Sequence, residues 1–323
     1  MPIPGCQVKS ATNELPVIDL CGLADNSRLQ AIADDIAKAM RNSGFMYVKS
    51  HGINQETIDS LIKQQELFFN QTLIEKQVIA INNDNRGYLA QGMAKMHGAE
   101  HHDQKEVFFW GAELDSRHPD RVNKVALCGD NQWPEKPPGF SAAVLAYADA
   151  VRTIGDHLLR AFARSLNIDD DFFCTHYTSP LTRGQLIHYP PTRGDTDNFG
   201  VAAHTDFGCI TLLLQRTAGL EVLGQNGQWV SAPPIPGTLV VNIGDLLERW
   251  TDGRLPSTRH RVRNLTNQAR YSIAMFHDPN PTAVINPEHM GSNTGRFTPV
   301  TAADYIVGRN RGAFTHYGEV EPN

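Results

Sequence analysis

The sequence predicts a mainly β protein with flanking helices, an antiparallel sandwich or barrel buttressed by a helical N-terminal half, with residues 1–323 forming one domain. Three observations predict it. After Gln185 short β-rich runs (QLIHY, CITLLLQ, LEVL, QWVSA, TLVVN, YSIAMF) follow one another with Gly, Pro or Asn between them, and no helix intervenes to connect parallel strands. Between Gly139 and Asn167, Phe140, Val144, Tyr147, Val151, Ile154, Leu158, Phe162 and Leu166 recur at helical period behind the Pro137-Pro138 stop. With 41% hydrophobic and 20% charged residues and no low-complexity tract, the chain carries enough apolar surface for a sizeable core.

Taken in order, LPVIDL (Leu15 to Leu20) reads as a strand, and Leu29, Ile32, Ile36 and Met40 mark a helix from about Asn26 to Asn42. FMYVKS (Phe45 to Ser50) is a second strand, His51-Gly52 a turn, and Asn54 the cap of a helix carrying Ile58, Leu61, Ile62 and Phe68. Residues 1–180 are thus a mixed buttressing region, 181–285 the β core, and 286–323 a C-terminal lid segment.

Twenty-nine Lys and Arg against 35 Asp and Glu give a net charge of −6 with scattered basic residues, which favours a small-molecule partner over nucleic acid. The N-terminus lacks the apolar core of a signal peptide, and the longest apolar runs fall far short of the ~18 residues of a membrane span, so a cytoplasmic protein is expected. Oligomeric state is not legible. Cys6, Cys21, Cys128, Cys174 and Cys209 are odd in number, widely spaced and free of CxxC pairs, which argues against a disulfide framework and a structural zinc site. Most are expected to be buried thiols. No GxSxG, GxGxxG, Walker-type, HExxH or CxxC motif is present.

In His204-Thr205-Asp206 an imidazole and a carboxylate sit two positions apart, a spacing that on a strand sends both to one face. Two ligands bind a divalent first-row metal weakly, so a third is expected from another strand. His260, in STRHRV beyond the turn-rich TDGRLPS, supplies it. Two His and one carboxylate make a facial triad with open positions, the arrangement of non-haem iron(II) oxygenases. Arg270 and Ser272, again two apart on a β-rich run, offer a guanidinium fork and a hydroxyl that suit a carboxylate. Tyr189 lies on the strand before the HxD segment, placed to donate a hydrogen bond to the chelating end of a keto acid.

These residues resemble the isopenicillin-N-synthase-like family of iron(II)- and 2-oxoglutarate-dependent dioxygenases, and the match covers most of the chain. LPVIDL, GFMYVKSHGI, RGYLAQG, KEVFFWG and NQWPEKPPGF look like its N-terminal landmarks in order; HYPP, HTDFGCITLLLQ, GLEVL, WVSAPPIPGTLVVNIGD, STRHRV and RYSIAMFHDPN look like its catalytic half. The resemblance implies a distorted jelly-roll (double-stranded β-helix) core, Fe(II) at His204, Asp206 and His260, the distal carboxylate of 2-oxoglutarate on Arg270 and Ser272, and Tyr189 near the keto-acid end. It implies an oxidoreductase, of a kind met in secondary metabolism, that consumes O2 and hydroxylates or desaturates a small molecule with release of succinate and CO2. Many plant members carry Asn two residues before the matching tyrosine, where this chain has Ile187. By resemblance the segment around Arg86 and Tyr88, the Glu106 to Phe109 stretch with Phe108, Phe276 and the part near Phe314 surround the substrate cavity.

Two other readings stand beside this one. RxS also occurs in isopenicillin N synthase and the plant ethylene-forming oxidase, which use no 2-oxoglutarate; oxygen consumption with and without the keto acid separates them. A non-catalytic ligand-binding jelly roll would show a missing or blocked ligand, whereas all three ligands and the RxS pair are intact. Among the other histidines, His188 should point to the opposite strand face from Tyr189, and His101-His102 should be solvated. Trp250 is read as a packing residue and Asp245 as shaping a turn.

Overall fold

Local chemistry sets where the elements begin and end in the computed structural model, which describes residues 14–191, 199–264, 267–292 and 294–317. The N-terminal part runs β1 (Val17–Asp19), α1 (Leu29–Asn42), β2 (Phe45–Lys49), α2 (Gln55–Phe69), α3 (Leu73–Gln77), β3 (Gly87–Leu89), β4 (Glu106–Gly111), α4 (Pro119–Val122) and α5 (Phe140–Ser165). Helix α1 starts three residues later than its apolar period suggests. Asn26 sits at φ 60 and the Asp25 carboxylate accepts the Ser27 N–H at 3.0 Å, which turns the chain before the helix can start. Ser50, at φ 56, likewise ends β2 at Lys49. The expected cap forms: the Asn54 side chain accepts the Glu56 N–H at 2.9 Å; Gly139, at φ 83, precedes α5.

The second half runs β5 (Arg183–Tyr189), β6 (Val201–His204), β7 (Ile210–Gln215), β8 (Leu220–Leu223), β9 (Trp229–Ser231), β10 (Thr238–Ile243), α6 (Asp245–Trp250), β11 (His260–Val262), β12 (Arg270–His277) and α7 (Ala302–Arg311). Eight strands form one sheet in the order β1-β2-β10-β7-β12-β5-β4-β3, and four form another, β6-β11-β8-β9. All pairings among β5 to β12 are antiparallel, although the expected absence of helices between these strands fails at α6, a short helix between β10 and β11; β1 and β2, joined through α1, pair in parallel.

Strand alternation splits the core in two. On the outer face of the large sheet, Met46, Val48, Phe108, Trp110, Leu186, Leu212, Val241, Ile273 and Met275 pack against Ile36, Met40, Leu61, Phe68, Val144, Tyr147, Leu158 and Phe162 of α1, α2 and α5. Each fully buried side chain of this size contributes ~1.5–3 kcal/mol. Between the sheets a smaller apolar set, among it Phe45, Tyr47, Val107, Phe109, Ile187, Leu220, Val222, Val240 and Val262, surrounds polar groups. That inter-sheet space holds the candidate site.

Candidate active site

Strand β6 ends at His204, and its partner across the ladder is His260, the first residue of β11. This register brings the two imidazoles to 4.3 Å between ring centres. Asp206 lies past the end of β6, so two-residue strand alternation is not what aims it. The loop is held instead by the Asp245 N–H, which donates to the Asp206 carbonyl at 2.7 Å. The carboxylate Oδ2 accepts from Thr211 Oγ1 on β7 at 2.6 Å and from Asn242 Nδ2 on β10 at 2.7 Å. Its Oδ1 is left 3.8 Å from His204 Nε2 and 3.6 Å from His260 Nε2.

Those separations are too long for good hydrogen bonds, so the three atoms face a shared gap. Each imidazole is fixed from behind: Nδ1 of His204 donates to the Ala202 carbonyl at 2.8 Å and Nδ1 of His260 to the Thr258 carbonyl at 3.1 Å. A carbonyl only accepts, so each Nδ1 carries a proton, and in the neutral ring that tautomer leaves the lone pair on Nε2. Burial, together with neighbouring His260, pushes the His204 imidazole down to about 3, keeping it neutral. Burial alone would raise the Asp206 carboxyl, yet His260, His204 and the Asn242 and Thr211 hydrogen bonds hold it below the usual range. Two imidazole nitrogens and one carboxylate oxygen within 4.8 Å of one another fit a divalent first-row metal, and no other such group occurs among the described residues.

From this group a cavity runs between the sheets past Ile187, Leu213 and Leu220 to Arg270, Ser272 and Tyr189. Arg270 and Tyr189 are ladder partners on β12 and β5, and the guanidinium carbon lies 4.6 Å above the tyrosine ring. Arg270 is 1% exposed, and its guanidinium donates to Ser272 Oγ at 3.2 Å, Gln215 Oε1 at 3.3 Å and the Ala218 carbonyl at 3.3 Å. Among the described residues no carboxylate meets it. Burial lowers its pKa, the sign of a cation held without an anion. Gly219, at φ 138, permits this approach: a Cβ there would stand 3.2 Å from Arg270 Nε and 2.5 Å from the Arg263 carbonyl.

On the other side of His204 a second chamber is lined by Lys105, Phe109, Arg183, Gln185, Phe276 and Phe314, among others. Phe276 and Phe314 therefore stand at the cavity as the resemblance implied. Arg86, Tyr88 and Phe108 do not. The Arg86 guanidinium is spent on the carbonyls of Asp84, Asn85 and Leu127, and the Tyr88 hydroxyl donates to Glu106. Phe108 packs against Phe68 and Phe140 on the helix side of the sheet, and its neighbour Phe109 faces the chamber. Because β4 is buried on both faces, its apolar run could not reveal which phenylalanine points inward. Asn242, Thr211, Gln215 and Lys105 were missed in the sequence; for the first three the available signal was a polar residue within an otherwise apolar strand, and Lys105, just ahead of β4, carried none.

His188 does face away from the cavity, stacked on Tyr271 with Nδ1 2.6 Å from Glu106. His101 and His102 are exposed, and Trp250 is buried against Phe172 and Phe173. Asp245 does more than shape a turn: it accepts from Ser257 and Arg309, tying α6 to α7. Cys128 and Cys209 are buried, Cys174 is half-buried and Cys21 is exposed, so the buried-thiol expectation holds for only two of the four; Cys6 lies outside the described residues.

Residues 171–279 match the 2OG-Fe(II) oxygenase superfamily, and residues 15–136 match the N-terminal region described as non-haem dioxygenase in morphine synthesis. A probable iron/ascorbate oxidoreductase of Dictyostelium discoideum is 36% identical over 83% of this chain and 82% of its own. A 2-oxoglutarate-Fe(II) type oxidoreductase, hxnY, of Emericella nidulans is 32% identical over 95% and 91%. The crystal structure of a full-length Neurospora crassa protein in complex with alpha-KG and thymine superposes with a TM-score of 0.80 at 26% identity, covering 93% of this chain and 97% of that one. The chain belongs to the 2OG-Fe(II) oxygenase superfamily. It is a dioxygenase, an oxidoreductase built on a double-stranded β-helix core, that uses Fe(II), 2-oxoglutarate and O2 on a small-molecule substrate. No helix among the described residues is long and apolar enough to cross a membrane.

Proposed function

We propose that His204, Asp206 and His260 hold the Fe(II), and that Arg270 and Ser272 grip the distal carboxylate of 2-oxoglutarate while Tyr189 borders its keto-acid end. The observation that carries this reading is the coincidence, in one cavity, of three converging lone-pair donors with a buried guanidinium that no carboxylate among the described residues meets. When bound, the iron supplies the redox chemistry that couples oxidative decarboxylation of the keto acid to oxidation of a substrate C–H bond. The protein's own part is positional. Thr211 and Asn242 keep one Asp206 oxygen turned to the metal, and the Ala202 and Thr258 carbonyls hold each Nδ1–H, so that Nε2 is the nitrogen aimed at the metal. Ile187, Leu213, Leu220 and Val262 line the keto-acid cavity with hydrocarbon, which strengthens the Arg270 contact by excluding water.

In this reading residues 1–180 buttress and add Lys105 and Phe109 to the chamber wall, 181–285 carry the chemistry, and 286–323 close the chamber through Phe314, whose backbone bridges Ala94. The substrate is a secondary metabolite met in the cytoplasm, hydroxylated or desaturated beside His204. His204→Ala and Asp206→Ala are expected to abolish succinate formation from 2-oxoglutarate. Full turnover in either variant, measured with excess Fe(II), would contradict the assignment.

A further inference from the structure

The chamber beside His204 has a polarity that the metal and keto-acid residues do not explain. Two ion pairs stand in its wall with the cations in front and the acids behind. Lys105 Nζ lies 3.2 Å from Asp103 Oδ2, the two side chains being 5% and 0% exposed. Arg183 Nη2 donates to Asp278 Oδ2 at 2.7 Å, with side chains 10% and 0% exposed. Both cations line the chamber and neither acid does. The acids are committed to backbone: Asp103 Oδ1 accepts the Ala202 N–H at 3.1 Å and Asp278 Oδ1 the Cys209 N–H at 2.7 Å. They cannot swing forward.

The cations, by contrast, have donors to spare. An ammonium carries three N–H groups, and Asp103 is the one acid paired with Lys105 among the described residues, while Arg183 Nε is buried with no hydrogen-bond partner. The Asn85 amide nitrogen, also in the chamber wall, is buried and lacks a partner. Asp206 is the only acid among the described lining residues, and its free oxygen is turned to the histidines. The rest of the wall is largely aromatic: Phe109, Phe276 and Phe314, with the Arg183 guanidinium 5.2 Å over the Phe276 ring.

We propose that the substrate is a small carboxylic acid whose carboxylate meets Lys105 and Arg183 at this donor-rich wall while its hydrocarbon body lies against Phe109, Phe276 and Phe314. A neutral acceptor would use the same donors, but hydrogen bonds between charged groups are roughly twice as strong, and the burial of both cations magnifies the difference. Lys105 lines both the chamber and the keto-acid cavity, so a carboxylate on it lies close to the metal ligands. The inference rests on the proposed placement of iron and 2-oxoglutarate.

The test is calorimetric binding to the Mn(II)- and 2-oxoglutarate-loaded protein of benzoate, phenylacetate and cyclohexanecarboxylate against the matching primary amides. At least one acid is expected to bind ten-fold or more tighter than its amide, with the preference lost in Lys105→Met. Because that variant strands Asp103, the pair Lys105→Met with Asp103→Asn serves as the second variant, its fold checked by melting temperature. Amides binding as well as acids, no acid binding, or a preference that survives in the folded double variant each overturn the proposal. Loss of 2-oxoglutarate binding in the unaltered protein would instead overturn the proposed keto-acid site.

Discussion

The two faces of the large sheet are made by the same strands and do opposite work. Along β12 the residues Tyr271, Ile273, Met275 and His277 point to the helices, and Arg270, Ser272, Ala274 and Phe276 point to the cavity. The helix side is mostly hydrocarbon, close-packed against α1, α2 and α5 with a few buried polar groups such as His188, Glu106 and His277, and its job is to fix the strands in register. The cavity side gives up that packing for polar groups that are only partly satisfied by the protein itself. Rigidity on one face is what lets the other hold unpaired donors at defined positions.

The contrast is broken most strongly on the sealed face. Phe162, fully buried on α5, is expected to cost about 3–5 kcal/mol of unfolding free energy as Phe162→Ala, read by denaturant titration, with 2-oxoglutarate affinity unchanged in the folded fraction. A parallel loss of affinity would show that the two faces are not separable. On the cavity face, Arg270→Met removes the cation that awaits an anion. A 2-oxoglutarate dissociation constant about 30-fold higher or more is expected, from the ~2–5 kcal/mol that truncating a buried charged pair costs, with stability held or raised because a desolvated cation is gone. The smallest change sharpens the contrast: Ile187→Asn places an amide beside Tyr189 and is expected to tighten 2-oxoglutarate by ~1 kcal/mol, about five-fold. An unchanged or weaker affinity would mean that the keto-acid end is already satisfied.

How much of this was legible in the sequence follows from the same two faces. The helix side obeys period: Phe140 through Phe162 on α5 and the β runs after Gln185 were readable because burying one stripe forces a repeating pattern. His204, Asp206, His260, Arg270 and Ser272 were readable because their residue types are chemically costly and their spacing is short. Strand alternation does not account for Asp206, however; a loop held by the Asp245 N–H and by Thr211 and Asn242 aims it. The substrate wall was the least legible. Arg86 and Tyr88 look functional as residue types, yet they satisfy buried carbonyls and a carboxylate, while Lys105 and Arg183 gain their meaning only from acids placed behind them by the fold.

The central claim is that the metal is held by two strand-end histidines and one loop aspartate and by no other side chain among the described residues. Anaerobic Fe(II) titration with 2-oxoglutarate present, on the unaltered protein and on His204→Ala, Asp206→Ala and His260→Ala, tests it most directly. One equivalent is expected to bind tightly to the first, and each variant is expected to lose that binding with its melting temperature in the metal-free state retained. Stoichiometric tight binding in any of the three variants would contradict the account.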